Sequence, residues 1–364
     1  MVEDESMTFP LGLGRVACDL VEDPKLRRLM RANRLRLSFE WEDVDANALE
    51  KIDASGFVSL ENVPDVVWKR SMTAGFPAGR RGRENPTHYA DLDEPDAKGQ
   101  TLLDRLHAPT DLSVSTFQDY YDNLGHEQSC ERGLLPFRAW QFYDKMVEAV
   151  SDRWISELVC AAGILAHYVG DACRVLHGSY LFDGDPSRTQ QRTVRKRDGT
   201  LQTIIERFGK GIHSDYEDRM INEHIDAFMG GVDAAVGQQH AMPPVRGGQD
   251  AGFAVVELMR KTRNRIDPMA LVEAYAGALQ GNGDVSEVLW GKFGQATGAA
   301  TADGCRVLAM LWESAWSEGN GQVIDDDLLD AVPEKELIAL YWDQLFVPSL
   351  PLDEVARVLR LGIL

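Results

Sequence analysis

Positive charge is scarce in this chain. Lysine and arginine number 38 against 58 aspartates and glutamates, so 364 residues carry a formal charge of 38 − 58 = −20. A surface so acidic disfavours gripping extended nucleic acid or anionic lipid, while leaving room for a local cationic or metal-filled cleft. Cysteines are few, odd in number and scattered (Cys18, Cys130, Cys160, Cys173, Cys305). Without any C-x-x-C pair they exclude a disulfide frame and a zinc-thiolate site, and point to reduced, buried thiols. No apolar run long enough to cross a bilayer stands out. The opening MVEDESMTFPLGLGRVACDL places Glu3, Asp4 and Glu5 where a signal peptide would be positive. The expectation is a cytoplasmic chain. Strand signals are sparse and there is no internal repeat, so the predicted class is all-α.

What is present is an ordinary globular composition, with hydrophobic residues at 44% and charged residues at 26%. The length suits one large domain or two ordinary ones. Residues 1–60, with a basic helix candidate from Lys25 to Arg36, form an N-terminal extension without a chemical motif. Residues 61–320 make a helical domain. It opens on the amphipathic segment Ser59 to Met72, followed by an arginine-rich loop at Gly75 to Pro86 and by ENPTHYADLDEPD. From Gly133 the apolar spacing is helical, as in Leu135, Phe137, Trp140, Tyr143 and Met146, then Ile155 to Leu165. Asp183 to Thr200 is expected to be a loop, and Gln202 to Phe208 helical. Residues 321–364 are predicted as a C-terminal extension with two further helices.

Two histidine-carboxylate pairs carry the chemistry. In GILAHYVGDACRVLHGS, His167 and Asp171 are four residues apart, about 40° apart on a helical wheel. His177 follows close by. In GIHSDYED, His213 and Glu217 repeat the four-residue spacing. One such pair alone is ordinarily a surface ion pair. His167, however, lies within the apolar run Ala161 to Val169, and a buried His beside a buried Asp needs partners. Imidazole nitrogens and carboxylate oxygens converging from two helices are what zinc takes.

HYVGDACRVLH followed by GIHSDYE resembles the zinc-dependent phospholipase C superfamily, which also contains the fungal zinc-dependent single-strand nucleases. THYADLD is similar to that family's upstream histidine segment, NVPDVVWKR to its aspartate-bearing helix start, and Gly133 to Pro136 to its Gly-x-Leu-Pro entry. The resemblance covers residues 60 to 318. It implies an all-helical fold and two zinc ions, one held by Asp65, His88, His167 and Asp171, the other by His177, His213 and Glu217. Asp65 would also be the catalytic base, with Asp53 and Asp91 as alternatives. The family's third site uses a terminal Trp and a nearby His. Here the first tryptophan is Trp41 and no His precedes His88, so a third zinc stays open. A cation from the loop at Arg80, Arg81 and Arg83 is expected to stand beside Asp171 instead. The implied activity is metal-dependent hydrolysis of a small phosphate ester, with a nuclease or nucleotidase, or a silent metal-binding relative, as alternatives.

Overall fold

The computed structural model describes residues 12–38, 57–69, 83–125, 133–195, 199–237, 242–281 and 283–361. Asp53, Trp41, Arg80 and Arg81 lie outside these, as do His126, Cys130, Lys196, Arg197 and His240.

Helices start where the sequence supplies a cap. The first helix, α1 (Leu13–Leu20), ends at Val21, and α2 (Pro24–Ala32) opens with Asp23 accepting from the amides of Lys25 and Leu26. Asp267 and Asp284 do the same for later helices. Proline occupies the first turn of α2 and of the later helix Leu135–Asp152, where its missing N–H costs nothing. After α3 (Val114–Asn123) come α4 (Leu135–Asp152) and α5 (Ile155–Ala172), an antiparallel pair turned by Arg153 at φ 60°. Then follow α6 (Ile225–Val236), α7 (Gly247–Arg265), α8 (Pro268–Gln280) and α9 (Val285–Glu318). The tail adds α10 (Glu334–Trp342) and α11 (Leu352–Leu361).

The long α9, 34 residues and about 50 Å by its rise, is the strut of the molecule. It packs against α1 and α4 through α8. From Leu158 to Ala172 every residue of α5 is buried, which is why its sequence is apolar on all faces. The expectation that no segment is long and apolar enough to span a membrane fails for this helix, which meets both criteria and serves as the core helix, 83% buried. Residues 13–37 also pack into this core, with α1 against α5 and α9.

The all-α expectation is corrected by one hairpin. The described chain is 69% helical, yet β1 (Asp185–Arg195) pairs antiparallel with β2 (Leu201–Phe208) in the register Thr193↔Thr203 and Val194↔Gln202. The supposed loop and the supposed helix are therefore its two strands. Thr193, Val194, Thr203, Ile204 and Ile205 are β-branched and favour extended backbone. Gly199, at φ 83°, takes a left-handed conformation in the connection. The strands escape a periodicity reading because Leu201 and Ile205 are 65% and 72% exposed, so burial does not sort the faces. The amphipathic segment that begins at Ser59 is, as far as Lys69, a 3-10 turn (Leu60–Asn62) followed by a π-helical turn (Pro64–Lys69); residues 70–72 lie outside the described ones.

Candidate metal centre

The buried end of α5 supplies His167 and Asp171. Three short turns bring the other groups to it: Pro64–Lys69 with Asp65, Asn85–His88 with His88, and Val175–Gly178 with His177. Gly163, one turn before His167, permits this approach. A Cβ there would stand 2.5 Å from Leu60 Cβ, so the glycine lets the Leu60–Asn62 turn lie directly on α5. One turn later the carbonyl of Glu61 accepts from His167 Nδ1 at 2.8 Å. That bond assigns the proton to Nδ1 and turns Nε2, with its lone pair, toward the cluster.

In the first cluster His167 Nε2 lies 3.0 Å from His88 Nδ1 and 3.4 Å from Asp171 Oδ2, while His88 Nδ1 lies 2.9 Å from Asp171 Oδ2. Asp65 closes it, with carboxylate oxygens 3.9 Å from each histidine. Burial disfavours the charged form of both rings. His167 is held below its ordinary value, whereas the Asp171 and Glu84 carboxylates outweigh burial at His88 and raise it to about 9. Burial alone would raise Asp65 and Asp171. Cationic neighbours win, Lys69 first at Asp65 and His177 first at Asp171, and both carboxyls stay well below the usual range.

The second cluster combines His177, His213 and Glu217. His177 Nδ1 donates to the carbonyl of His88 at 2.7 Å, so its Nε2 faces Glu217 Oε2 at 3.1 Å. His213 Nε2 stands 3.6 Å from the same oxygen. Gly211, at φ 96°, starts the turn that presents His213, and a Cβ there would meet the Tyr275 hydroxyl at 2.7 Å. The backbone then widens into a π-helical turn (Asp215–Arg219) carrying Glu217. Such turns concentrate at functional sites. Burial opposes ionisation of Glu217, but His213, His177 and the Arg174 guanidinium, whose Nη1 is 3.2 Å away, bring it down to about 2. Asp171 touches the second cluster's histidine as well, its Oδ1 lying 3.6 Å from His177 Nδ1, the ring nitrogen that donates to the His88 carbonyl.

These spacings fit a cation. A tetrahedral zinc with ligands near 2.05 Å has donor–donor edges of about 3.3 Å, and the edges here run from 2.9 to 3.9 Å in the first cluster. Two lone-pair atoms aimed at one another, as His177 Nε2 and Glu217 Oε2 are, repel unless a proton or a metal lies between them. Glu217 Oε1 is buried without a hydrogen-bond partner among the described residues, a further lone pair available to a ligand-bound ion. The donor set of imidazoles and carboxylates suits zinc.

Every residue assigned to the site from the sequence falls in these two groups. Asp91 and Asp93 do not supply a ligand to either: Asp93 accepts from Ser179, from the Tyr180 amide and from Arg263. Of the residues expected to bring a cation beside Asp171, Arg83 pairs with Glu354 instead, and Arg80 and Arg81 lie outside the described residues. A lysine does stand in the first cluster, Lys69, with Nζ 3.1 Å from Asp65 Oδ1. Its four-residue spacing from Asp65 was the available signal. Sequence reasoning also missed the supports: Glu61, Arg174, and Glu84, which faces His88 Nε2 at 3.6 Å. Arg138 fixes Glu84 from behind while donating to the carbonyls of Val347 and Pro348 at 2.9 and 3.0 Å.

No protein-family model matches the chain, and no solved structure matches it. It is 34% identical over 373 aligned residues, 93% of its length, to a protein of Bradyrhizobium tropiciagri named a probable serine protease. The chain spans about half (47%) of the length of that curated relative. This likeness overturns the expectation of a phosphoester hydrolase, because the relative is named for cleaving peptide bonds. The geometry adds a second point. Among the described residues no serine hydroxyl hydrogen-bonds a histidine ring: Ser179 Oγ donates to Asp93, and Ser349 Oγ to Glu84. The described residues therefore show no serine-histidine pair of the kind that activates a serine nucleophile.

Proposed function

We propose that the chain is a hydrolase acting on peptide bonds through a water activated at a two-zinc centre. The observation that carries the reading is the pair of buried His-carboxylate clusters joined by Asp171, with donor edges of zinc size. The relative's name supports the substrate class. Zinc bound at such a centre lowers the pKa of a coordinated water and polarises a carbonyl.

The residues of the chain divide the remaining work. Asp65, His88, His167 and Asp171 would hold one ion, and His177, His213 and Glu217 the other. The carbonyls of Glu61 and His88 fix the tautomers of His167 and His177. Arg174 keeps Glu217 ionised and in place. Asp65, at 19% side-chain exposure the most open carboxylate of the set, takes the proton released by the attacking water.

The test is hydrolysis of a mixed peptide library followed by mass spectrometry, with elemental analysis of protein purified without chelator. Cleavage abolished by 1,10-phenanthroline, restored by zinc and indifferent to a fluorophosphonate is expected. Cleavage that resists the chelator and yields to the fluorophosphonate would place the chemistry on a serine and refute the reading, as would no cleavage at all.

A further inference from the structure

Ala254, Leu258 and Lys261 follow one another at four- and three-residue steps along α7, and Asp303, Arg306, Val307 and Met310 recur at helical spacing along α9. Each set therefore forms one stripe on its helix. The two stripes line a common cavity of about 520 Å³, bounded on a third side by Met242 and Val245. Small-molecule sites occupy roughly 300–1,000 Å³. The Val245 amide donates to Ser314 Oγ at 3.1 Å, and its carbonyl accepts from the Tyr143 hydroxyl at 3.5 Å, so the third wall is pinned to α9 and α4. No residue of either metal cluster lines this cavity.

The two ends of the cavity differ in chemistry. Charge gathers where Lys261 meets Asp303. Asp303 Oδ1 takes Lys261 Nζ at 2.9 Å and Arg306 Nη1 at 2.6 Å, and its Oδ2 takes Arg265 Nη1 at 2.8 Å. Burial would raise this carboxyl, but the Lys261 and Arg265 bonds outweigh it and hold the group ionised, below its ordinary value. Three cations on one carboxylate leave 3 − 1 = +2 in a chain whose total is −20. Lys261 directs one of its three N–H groups to Asp303, and its side chain is 51% exposed. About 10 Å of α9 separates Asp303 from Met310, and around Met310 the walls are the buried side chains of Leu258 and Val307. The Glu257–Arg260 pair on the rim is self-contained at 2.9 Å. The third wall offers a peptide little to pair with: Pro243 and Pro244 have no N–H, and that of Val245 is spent on Ser314.

We propose that this cavity is a binding site for a fatty carboxylate, whose head pairs with Lys261 while its chain lies along Leu258, Val307 and Met310. The excess of positive charge selects an anion, and the apolar walls select a hydrocarbon over a chain of amides that would go unpaired there. Lys261 supplies the direct bond to the head, and Arg306 and Arg265 balance Asp303 so that the lysine's charge is left for the ligand. The site stands apart from the hydrolytic reading and does not depend on it.

The test is calorimetric titration of the full chain with dodecanoate, below the concentration at which it forms micelles, beside dodecanol, dodecyltrimethylammonium and a tripeptide ending in leucine. Dodecanoate is expected to bind once per chain, and dodecanol about 10-fold more weakly for want of a charge-assisted hydrogen bond. Lys261→Met should weaken dodecanoate by about 10-fold and leave dodecanol unchanged. Ala254→Trp, which fills the cavity from a half-buried position, should abolish binding of both, with folding checked by circular dichroism. Absence of dodecanoate binding, equal binding of the ammonium analogue, or many molecules bound per chain overturns the proposal. So does a Lys261→Met protein that binds dodecanoate as the wild type does, which keeps the test decisive if Ala254→Trp fails to fold. Tighter binding of the leucine peptide than of dodecanoate overturns the choice of occupant. None of these readouts involves zinc or hydrolysis, so failure here and failure of the peptide-hydrolysis reading are told apart.

Discussion

Replacing Asp171 by asparagine probes both clusters at once. The carboxylate contacts His88 at 2.9 Å, His167 at 3.4 Å and His177 at 3.6 Å, and is almost wholly buried. Asparagine keeps the volume and removes the charge. Taking one partner from a buried charge pair costs about 3–5 kcal/mol. For a chain of 364 residues, an unfolding entropy of about 2.1 cal/mol/K per residue gives about 0.76 kcal/mol per degree, so Tm should fall by about 4–7 °C. The second effect is on metal. A ligand present at about 1,000 times its Kd stabilises by about 4 kcal/mol, so zinc should raise the wild-type Tm by about 5 °C. The Asp171→Asn protein should lose most of that increment. The assay is a melt of each protein with zinc and after chelator treatment, with zinc measured by elemental analysis. If wild-type protein binds no divalent metal and melts identically in both conditions, or if Asp171→Asn keeps two zinc ions, the bridging role is refuted.

Gly163→Ala should cost about 1–3 kcal/mol, since its methyl group would collide with Leu60 and push the Glu61 carbonyl away from His167; a urea titration measures the loss, and an unchanged midpoint would contradict the close approach. Arg138→Met should cost about 3–5 kcal/mol by leaving Glu84 buried without its guanidinium, read from the same titration. Glu61 supplies a pH signature. Burial raises its carboxyl to about 7 despite acceptance from the Leu13 and Gly14 amides. Between about pH 4.5 and 7 the unfolded chain binds fewer protons than the folded one, so this residue lowers stability as pH rises through that window and adds no further change above it. Glu61→Gln should flatten that arm of the stability profile, and an unaltered profile would remove Glu61 as its source. His213→Ala should lower zinc content toward one ion per chain while leaving the fold intact, measured by elemental analysis and circular dichroism.

How much of this was legible follows from distance along the chain. His167 with Asp171 and His213 with Glu217 stand four residues apart, and helical spacing alone places each pair on one face, so the sequence determined them as pairs. The capped helices and the long apolar run of α5 were equally local, because caps and periodicity act over a few residues. Asp65 and His88 were reached only through a family likeness, and that likeness misled on the substrate. The hairpin was lost for a different reason: Leu201 and Ile205 face solvent while Ile204 and Phe208 are partly buried, so no regular alternation separated an inner face from an outer one.

Tertiary structure alone decided the rest. Glu61 meets His167 across 106 residues, Arg174 meets Glu217 across 43, and Arg138 reaches Val347 across 209. Nothing in the local sequence of either partner marks such a contact, because a carbonyl that fixes a tautomer belongs to the backbone and any residue supplies one. Residue types and short spacings determined which groups could bind a cation or move a proton. Which of them face one another, and which oxygen or nitrogen each presents, was settled by the packing of turns on a buried helix.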